Sequence, residues 1–461
     1  MAITSAHIVS LSIVLLLSLL INSYAGRNIK SAEDFSLGGR LSGPAIVSGA
    51  ILGAIVGGAA TMGTAQLAFC VGLSAWWFTL GSGIGLICLA AFYAKPLRSS
   101  GLSTLPEFLV RHYGDKTGPL ATLVSSIGIF FSISASMLSA FSLFEAILGV
   151  SAQAAAGITM LIVIIFVCCG GLKGAGISGL FKISLLYLTL FAAGAAAFLA
   201  LGGFAGIQRS FPAEPWLSLF GRGVWTDLRN VTSLIIGIIS TQTYAQAIFS
   251  ARDTRTAIVG SLTAAALTIP VGLPSVAIGF YMRAHYPELL PIHALPMYLL
   301  NFVPAWIGGA AIAALLLSAI GSIVGLTLGV GTMLSNDLCK LLPGAGATKK
   351  QLLLNRSCVV LIAVAAAAFV LKNLDALVLD WNFLSMALRG TSVFIPLTLA
   401  VFSPGKLRPR PALYAMLAGI VTALGWTFMV PEAGNPLFPG LAASLAAVVI
   451  GIVLTPRPGM D

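Results

Sequence analysis

The sequence predicts an all-α membrane protein with about thirteen transmembrane helices. Of its 461 residues, 58% are hydrophobic and only 8% are charged, and the mean hydropathy is +1.00. This composition leaves too little polar surface for a protein dissolved in water. Apolar runs long enough to cross a hydrocarbon core about 30 Å thick recur from Ile8 to Leu454. A soluble enzyme is therefore excluded.

Thirteen apolar segments follow one another along the chain, separated by charged, glycine, proline and polar positions. The first could be mistaken for a signal peptide, because Ser23-Tyr24-Ala25 is compatible with cleavage. No Lys or Arg precedes it, so we interpret it as a spanning helix. The predicted bounds are 6–25, 44–70, 75–94, 118–148, 153–169, 176–201, 230–249, 256–283, 305–335, 354–372, 381–402, 411–429 and 438–455.

Positive charges are shared unevenly between alternate loops. Eighteen of the 25 Lys and Arg residues follow odd-numbered segments, Lys30, Lys340, Lys349 and Arg457 among them. The opposite loops hold five, which are Arg209, Arg222, Arg229, Arg283 and Lys372. Since cytoplasmic loops carry the excess, the amino terminus is predicted outside and the carboxyl terminus inside. Orientation also accounts for the net charge of +11 without a nucleic-acid partner.

The cysteines and motifs give no sign of a metal centre or a cofactor. The six cysteines lie in or beside apolar runs, without metal-ligand or secreted disulfide spacing; they are Cys70, Cys88, Cys168, Cys169, Cys339 and Cys358. No nucleotide-binding Gly-x-x-x-x-Gly-Lys-Ser/Thr motif is present. We expect no organic cofactor and no protein partner. The expected partners are a small-molecule solute and the lipid bilayer.

Several motifs occur in order along nearly the whole chain. The first is Ser31-Ala-Glu-Asp-Phe-Ser-Leu-Gly-Gly-Arg40, followed by a Gly/Ala-rich helix that ends at Ala68–Leu73. The others are Ser103–Phe108 with Arg111 and Tyr113, Gly170-Gly171-Leu172, Gln242–Gln246 with Ser250–Asp253, Ala294-Leu295-Pro296, Leu317–Ser322, Ser335–Lys340, and Phe394-Ile395-Pro396 with Ala412 and Gly419. In this order they resemble the motifs of the sodium:solute symporter family.

The resemblance implies a leucine-transporter-like fold. It has two inverted five-helix repeats, here segments 2–6 and 7–11, and its substrate and ion sites lie near the bilayer midplane, where broken helices free backbone groups. The chain would be one transporter domain, with an extra first helix and loop at 6–43, a ten-helix core at 44–402 and two further helices at 411–461. The implied function is solute:cation symport by alternating access across a plasma membrane of the bacterial inner-membrane type.

The second segment shows why a helix would break. Gly49, Gly53, Gly57 and Gly58 fall within ten residues, and each costs up to ~1 kcal/mol of helical preference relative to alanine. Unwinding is therefore cheap there. Small residues also let membrane helices pack closely, so both roles stay open.

The resemblance also implies a conserved sodium site. Carbonyls of Gly53 and Val56 in the first broken helix would meet Ser318, Ser322 and position 321 of a later helix. Residue 321 is glycine, which has no side-chain oxygen to replace water around a hard cation. The predicted sodium site is therefore one ligand short, because of Gly321.

Lys182 changes the charge of the same region. Many relatives carry an acidic residue where this chain has Gly179, and Lys182 follows one turn later. Burial disfavours a charged lysine, so it can load and release a proton. We hypothesise that its ammonium occupies or neighbours the vacated sodium site near Ser322, which would make transport proton-coupled or uncoupled. Alternatively Lys182, ~9 Å along its helix from the cytoplasmic end, extends to the interface.

The resemblance places most substrate contacts on the two broken helices and their neighbours. The matching polar positions are Ser240, Thr241, Gln242, Tyr244 and Gln246, with Thr61 and Ser82 as weaker candidates. Their hydroxyl, phenol and amide groups suit a small polar solute, but each can equally bond a neighbouring helix. Ala59 and Ala60 stand where sugar-transporting relatives have acidic or amide groups, which disfavours a sugar.

Arg389 lies about one third of the way along segment eleven, a depth that requires a carboxylate, a carbonyl or a water-filled cavity as partner. Three roles stay open: binding a substrate carboxylate, pairing with Asp380, or extending to the interface.

A secondary active symporter is the leading functional hypothesis, with Na⁺ as the expected coupling ion and H⁺ as the alternative. A membrane sensor is a competing class, although only about six residues follow the last segment and leave no room for a kinase. A passive channel is disfavoured by the order of motifs and the lack of a charged pore-lining ring.

Overall fold

The computed structural model describes residues 3–27, 31–341, 348–430 and 434–454. In these ranges the chain is helical apart from connecting turns and an isolated bridge between Ser42 and Ala251. The prediction of an all-α protein is confirmed. Lys30, Arg457 and the end of the last predicted segment lie outside the described residues. The side chains of Cys168, Cys169, Cys339, Lys340 and Lys349 lie outside the described part of the structure as well.

Nineteen α-helices make up the described chain, with short 3₁₀ and π-helical turns between some of them. The first nine are α1 (Ser5–Gly26), α2 (Ala32–Leu37), α3 (Pro44–Ile55), α4 (Thr64–Val71), α5 (Trp77–Cys88), α6 (Ala94–Ser99), α7 (Leu105–Tyr113), α8 (Thr117–Leu148) and α9 (Ala152–Ala200). The others are α10 (Gly203–Ser210), α11 (Val224–Ile239), α12 (Gln242–Ser250), α13 (Thr254–His285), α14 (Ala294–Asn301), α15 (Ala305–Leu341), α16 (Thr348–Val370), α17 (Val378–Phe402), α18 (Pro409–Met429) and α19 (Leu437–Leu454).

Many of these helices suit a bilayer. Among the described residues, ten helical stretches are long and apolar enough to cross a membrane. Three shorter apolar helices cover Pro44–Ile55, Ala152–Phe166 and Leu437–Val453. The chain is therefore a multi-pass membrane protein.

The second predicted segment is broken, and its glycines also form a close helix contact. α3 ends at Ile55, and a π-helical turn at Ala59–Gly63 precedes α4. Val56, with φ −83° and ψ 72°, leaves the helical conformation. A Cβ added at Gly49 would overlap the carbonyl oxygen of Gly176 in α9. Unwinding and close packing therefore coexist in this segment.

The seventh predicted segment is broken as well. α11 ends at Ile239 and α12 begins at Gln242. Between them Thr241 is extended, with φ −97° and ψ 120°. A helix end leaves backbone groups without intrahelical partners. The two breaks therefore leave polar backbone groups available inside the bundle.

α9 consists of two helices joined directly, as the two predicted segments 153–169 and 176–201 imply. Helical residues run from Ala152 to Ala200, and Gly171, with φ 53° and ψ −159°, lies outside the helical conformation between them. Glycine has no Cβ to oppose a positive φ, so the chain turns at one residue and the connection is shorter than predicted.

Both breaks lie where the central helices meet. α3 packs against α9, α12 and α15, while α8 packs against α15 and α17. α11 in turn packs against α17. The polar side chains of these helices therefore face one another in the interior of the bundle.

Candidate functional site

Lys182, in the second half of α9, points into the bundle. It is 1% exposed, and its Nζ donates to the carbonyl oxygens of Gly53 at 2.9 Å and Val56 at 2.8 Å. These are the two carbonyls predicted to bind sodium. The alternative in which Lys182 extends to the cytoplasmic interface is wrong, because the side chain is buried against α3 and α15.

Two serines of α15 bond the same stretch of α3. Ser318 Oγ donates to the carbonyl oxygen of Val56 at 2.6 Å. Ser322 Oγ donates to the carbonyl oxygens of Ala54 at 2.6 Å and Gly53 at 3.3 Å. The structure thus brings the four predicted sodium ligands together around the lysine ammonium.

Gly321 leaves the room that the ammonium takes. A Cβ at this position would lie 3.3 Å from Lys182 Nζ and 3.4 Å from the carbonyl oxygen of Gly53. A hydroxyl-bearing residue would therefore compete with the ammonium for the same space. Gly321 and Lys182 therefore belong to one site, in which the glycine leaves the space that the ammonium fills.

Gly179 sets how closely α9 approaches α3. A Cβ here would overlap the carbonyl oxygen of Gly49 and lie 3.2 Å from Gly53 Cα. An acidic side chain has no room at this position. Glycine therefore brings α9 near enough for Lys182, about one turn further on, to reach the carbonyls of α3.

A small cavity of about 20 Å³ adjoins Lys182. Its lining is mainly apolar but includes Ser18 and Asn22 of α1 and Ser178 of α9. A space of this size, with these polar groups and the lysine as partners, can hold about one water molecule. The lysine therefore has a place for a proton donor or acceptor beside it.

The predicted substrate hydroxyls on the broken helices bond their own backbone. Thr61 Oγ1 donates to the carbonyl oxygen of Gly57 at 3.1 Å. Ser240 and Thr241 donate to the carbonyls four residues earlier, at 2.9 Å and 2.5 Å. Ser82 Oγ is buried without a hydrogen-bond partner among the described residues. Each hydroxyl oxygen keeps a lone pair that can accept a bond from another group.

The amides of Gln242 and Gln246 bond other helices instead of their own backbone. Gln242 Oε1 accepts from the backbone N–H of Leu105 at 2.8 Å. Gln246 Nε2 donates to the carbonyl oxygen of Ser36 at 2.6 Å. The two amides thus tie α12 to α7 and α2, which is the interhelical role left open by the sequence. Tyr244, on the same helix, is 2% exposed.

Arg389, in α17, reaches the second helix break. It is 0% exposed, and its Nη1 donates to Thr241 Oγ1 at 2.8 Å. Nη2 donates to the hydroxyls of Ser385 at 2.8 Å and Ser132 at 3.0 Å. These neutral partners fix the plane of the guanidinium inside the bundle.

Two of the three alternatives for Arg389 are wrong. Asp380 is bonded to Arg222 at 3.0 Å, so it does not pair with Arg389. Extension to the interface is incompatible with complete burial. A role at the carboxylate of a solute is the alternative that stays compatible with the geometry.

Ser132 belongs to none of the motifs described above, but its spacing from two other serines of α8 indicates a shared helix face. Ser132, Ser136 and Ser139 follow at i, i+4 and i+7 in α8, which places them on one helix face. A Cβ at Gly58 would overlap Ser139, and one at Gly57 would lie 3.6 Å from Ser136 Oγ. This serine face connects the buried arginine with the first break.

Known proteins resemble this chain along nearly its whole length. A model of the sodium:solute symporter family matches residues 35–419. The osmoregulated proline transporter of Bacillus subtilis (strain 168) is 26% identical, over 98% of this chain and 95% of that protein. High-affinity choline transporter 1 of Caenorhabditis elegans is 23% identical, over 90% of this chain and 76% of that protein.

A solved structure shares the fold. It is the substrate-bound outward-open state of a Na⁺-coupled sialic acid symporter, which superposes with a TM-score of 0.81 at 16% identity. The superposition covers 98% of this chain and 97% of the other. The arrangement of helices is therefore similar from end to end.

Proposed function

Because the chain belongs to the sodium:solute symporter family, we propose that it is a secondary active transporter. It carries a small polar or organic-acid solute across the plasma membrane by alternating access. The observation that carries the proposal is the meeting of two broken helices around buried cationic and hydroxyl groups. Relatives that transport proline, choline and sialic acid support a small solute.

Thirteen crossings complete this proposal. We assign them to the ten long helical stretches and the three shorter apolar helices of the described chain, with Pro44–Ile55 and the start of Ala59–Ser99 together forming the second crossing. The two five-helix repeats then begin at the two broken segments. The uneven distribution of Lys and Arg supports an amino terminus outside and a carboxyl terminus inside.

The coupling ion is better explained as a proton than as sodium. The family suggests Na⁺, but here an ammonium is already hydrogen-bonded to the carbonyls of Gly53 and Val56. A sodium ion among the same oxygens would lie close to a second positive charge, and the repulsion is large at low dielectric. Lys182 is therefore proposed to replace sodium in a proton-coupled or uncoupled carrier.

Protonation of Lys182 would change how the first break is held. The charged ammonium forms strong hydrogen bonds with the two α3 carbonyls and so fastens α9 to the break. The neutral amine binds them more weakly, which frees α3 to move relative to α9 and α15. The proton then biases an equilibrium between two arrangements of the broken helix.

Uptake into proteoliposomes tests the coupling. A thermal-shift screen against amino acids, carboxylates, sugars and vitamins supplies the solute to be labelled. Replacing Na⁺ by choline is expected to leave the initial rate nearly unchanged, while an inward proton gradient raises it by a factor on the order of five or more. Uptake that depends strictly on Na⁺ in the wild type and equally in Lys182→Ala would show that the lysine has no part in coupling.

Counterflow tests transport by a carrier. Preloading the vesicles with unlabelled solute is expected to cause transient accumulation of labelled solute, with saturable flux, because one site faces the two sides in turn. Flux that rises linearly with concentration and shows no counterflow would identify a channel and contradict the proposal.

A further inference from the structure

Arg389 carries a buried positive charge whose partners are all neutral. They are the hydroxyls of Thr241, Ser385 and Ser132, the carbonyl oxygen of Ser385 at 3.0 Å, and the sulfur of Met386 at 3.2 Å. Among the described residues, ion pairs join Arg40 to Glu33, Arg222 to Asp380 and Arg252 to Asp253, and Arg389 has none. A buried charge without an opposite charge is strongly unfavourable in a membrane protein. The site is electrostatically incomplete.

The guanidinium has donor capacity left. It carries five N–H groups, and Nη1 is bonded only to Thr241 Oγ1 among the described residues. One N–H of Nη1 is therefore available. The hydroxyls bonded to Nη2 donate elsewhere, Ser132 Oγ to Ser385 Oγ and Ser385 Oγ to the carbonyl oxygen of Gly128. A carboxylate oxygen can therefore accept the remaining N–H of Nη1, and a second, parallel bond forms where its other oxygen replaces a serine hydroxyl at Nη2.

Arg389 also lies between the two helix breaks. Thr241, its partner through Nη1, forms the extended residue of the second break. Ser132, its partner through Nη2, lies one turn (~6 Å) from Ser136, which faces Gly57 in the first break. A solute bound between the two breaks would therefore meet the guanidinium.

The charge of the bundle centre indicates which solutes fit. Lys182 and Arg389 are both buried there, and neither forms an ion pair with a carboxylate among residues that the structure describes. A cationic solute would add a third positive charge, whereas an anionic solute would neutralise one. We propose that Arg389 binds a carboxylate of the transported solute and selects organic anions. This inference rests on the proposed transport function.

Matched pairs of ligands test the inference on the purified full-length protein. Acetate, propionate, lactate, pyruvate and proline are each compared with the corresponding uncharged amide or, for proline, with prolinamide, in chloride-free buffer. At least one carboxylate is expected to raise the Tm while its amide does not. In Arg389→Gln the Kd of that carboxylate is expected to rise on the order of 30-fold or more.

Two variants separate recognition from stability. Arg389→Lys keeps the charge and loses the planar fork, so an intermediate Kd is expected. Arg209→Gln removes an exposed arginine of α10 and should leave carboxylate binding unchanged. A purely structural arginine would lower the Tm of both Arg389 variants without changing the preference for carboxylate over amide. If Arg389→Gln does not fold, the test rests on two other results. They are the preference of the wild type for carboxylate over amide and the Kd of the carboxylate for Arg389→Lys.

Other results would overturn the proposal. The proposal fails if amides or choline raise the Tm as much as the carboxylates do. It also fails if no carboxylate of the panel raises the Tm. Stabilisation by chloride alone, lost in Arg389→Gln, would assign the arginine to an inorganic anion instead of a solute. Counterflow of a neutral or cationic solute that is unaffected by Arg389→Gln would overturn this inference and leave the transporter proposal standing.

Discussion

Lys182→Ala is expected to abolish pH-driven accumulation in proteoliposomes. The variant lacks the group proposed to carry the proton, while Ser318 and Ser322 still donate to the carbonyls of Val56 and Gly53, so the fold should persist. The initial rate under an inward proton gradient should fall on the order of fivefold or more, to the level without a gradient. Tm measurements establish that the variant is folded.

Lys173→Ala is the matched control for this loss. Lys173 lies on the same helix but is exposed, so its removal should leave the response to pH intact. The assignment of the proton to Lys182 would be contradicted if uptake by Lys182→Ala responded to the proton gradient as the wild type does. It would also be contradicted if Lys173→Ala lost that response.

A second substitution extends the same prediction. In Lys182→Ala/Gly321→Ser the ammonium is gone, and a Cβ at residue 321 stands 3.4 Å from the Gly53 carbonyl oxygen. Two carbonyls and three hydroxyls then surround the space, a ligand set that suits a hard cation. We expect the double variant to gain Na⁺ binding, measured with ²²Na⁺, that the wild type and Lys182→Ala lack. Equal ²²Na⁺ binding by all three would show that the lysine does not displace sodium.

Gly179→Ala is expected to cause the largest loss of stability among single methyl additions to α9. The new Cβ would overlap the carbonyl oxygen of Gly49, a backbone atom that cannot rotate away. α9 must then move off α3, at a cost of about 1–3 kcal/mol. The same movement would draw Lys182 from its carbonyls, so the response to a proton gradient should weaken as well.

Gly157→Ala is the control for this substitution. Gly157 belongs to the same helix, and a Cβ there meets nothing within 4 Å. Alanine should be neutral or stabilising by up to ~1 kcal/mol at that position, because it restricts the unfolded chain and favours the helix. Thermal unfolding in detergent compares the two variants. A Tm for Gly179→Ala equal to that of Gly157→Ala would show that the α3–α9 contact is not tight.

Much of the fold could be predicted from hydropathy, because a bilayer demands long apolar helices and admits few exceptions. The connection predicted between 169 and 176 shows where this reasoning stops. Gly170-Gly171-Leu172 is a strong break signal in sequence, and the helix does break at Gly171, but the turn takes one residue instead of a loop. The sequence pattern predicts the position of a break and does not predict its length.

Those features of the candidate site that depend only on which residue occupies a position could be predicted from the sequence. Glycine at 321 and lysine at 182 are visible in the chain, and together they indicate a modified cation site. The glutamines of α12 show the opposite case. Gln246 has the chemistry of a solute ligand, yet it bonds Ser36 because α2 happens to pack there. Chemical suitability alone does not distinguish a solute contact from a helix contact.

The sequence by itself determined that this is a multi-pass membrane protein of the symporter family, that residue 321 has no side-chain oxygen, and that two cations lie inside apolar segments. Only the tertiary structure decided where those cations point. Lys182 reaches Gly53 and Val56 because Gly179 lets α9 approach α3, and Arg389 reaches Thr241 because that residue leaves the helix at the second break. The direction of a long side chain depends on the rotation and spacing of packed helices, and these are set by contacts between residues far apart in the chain.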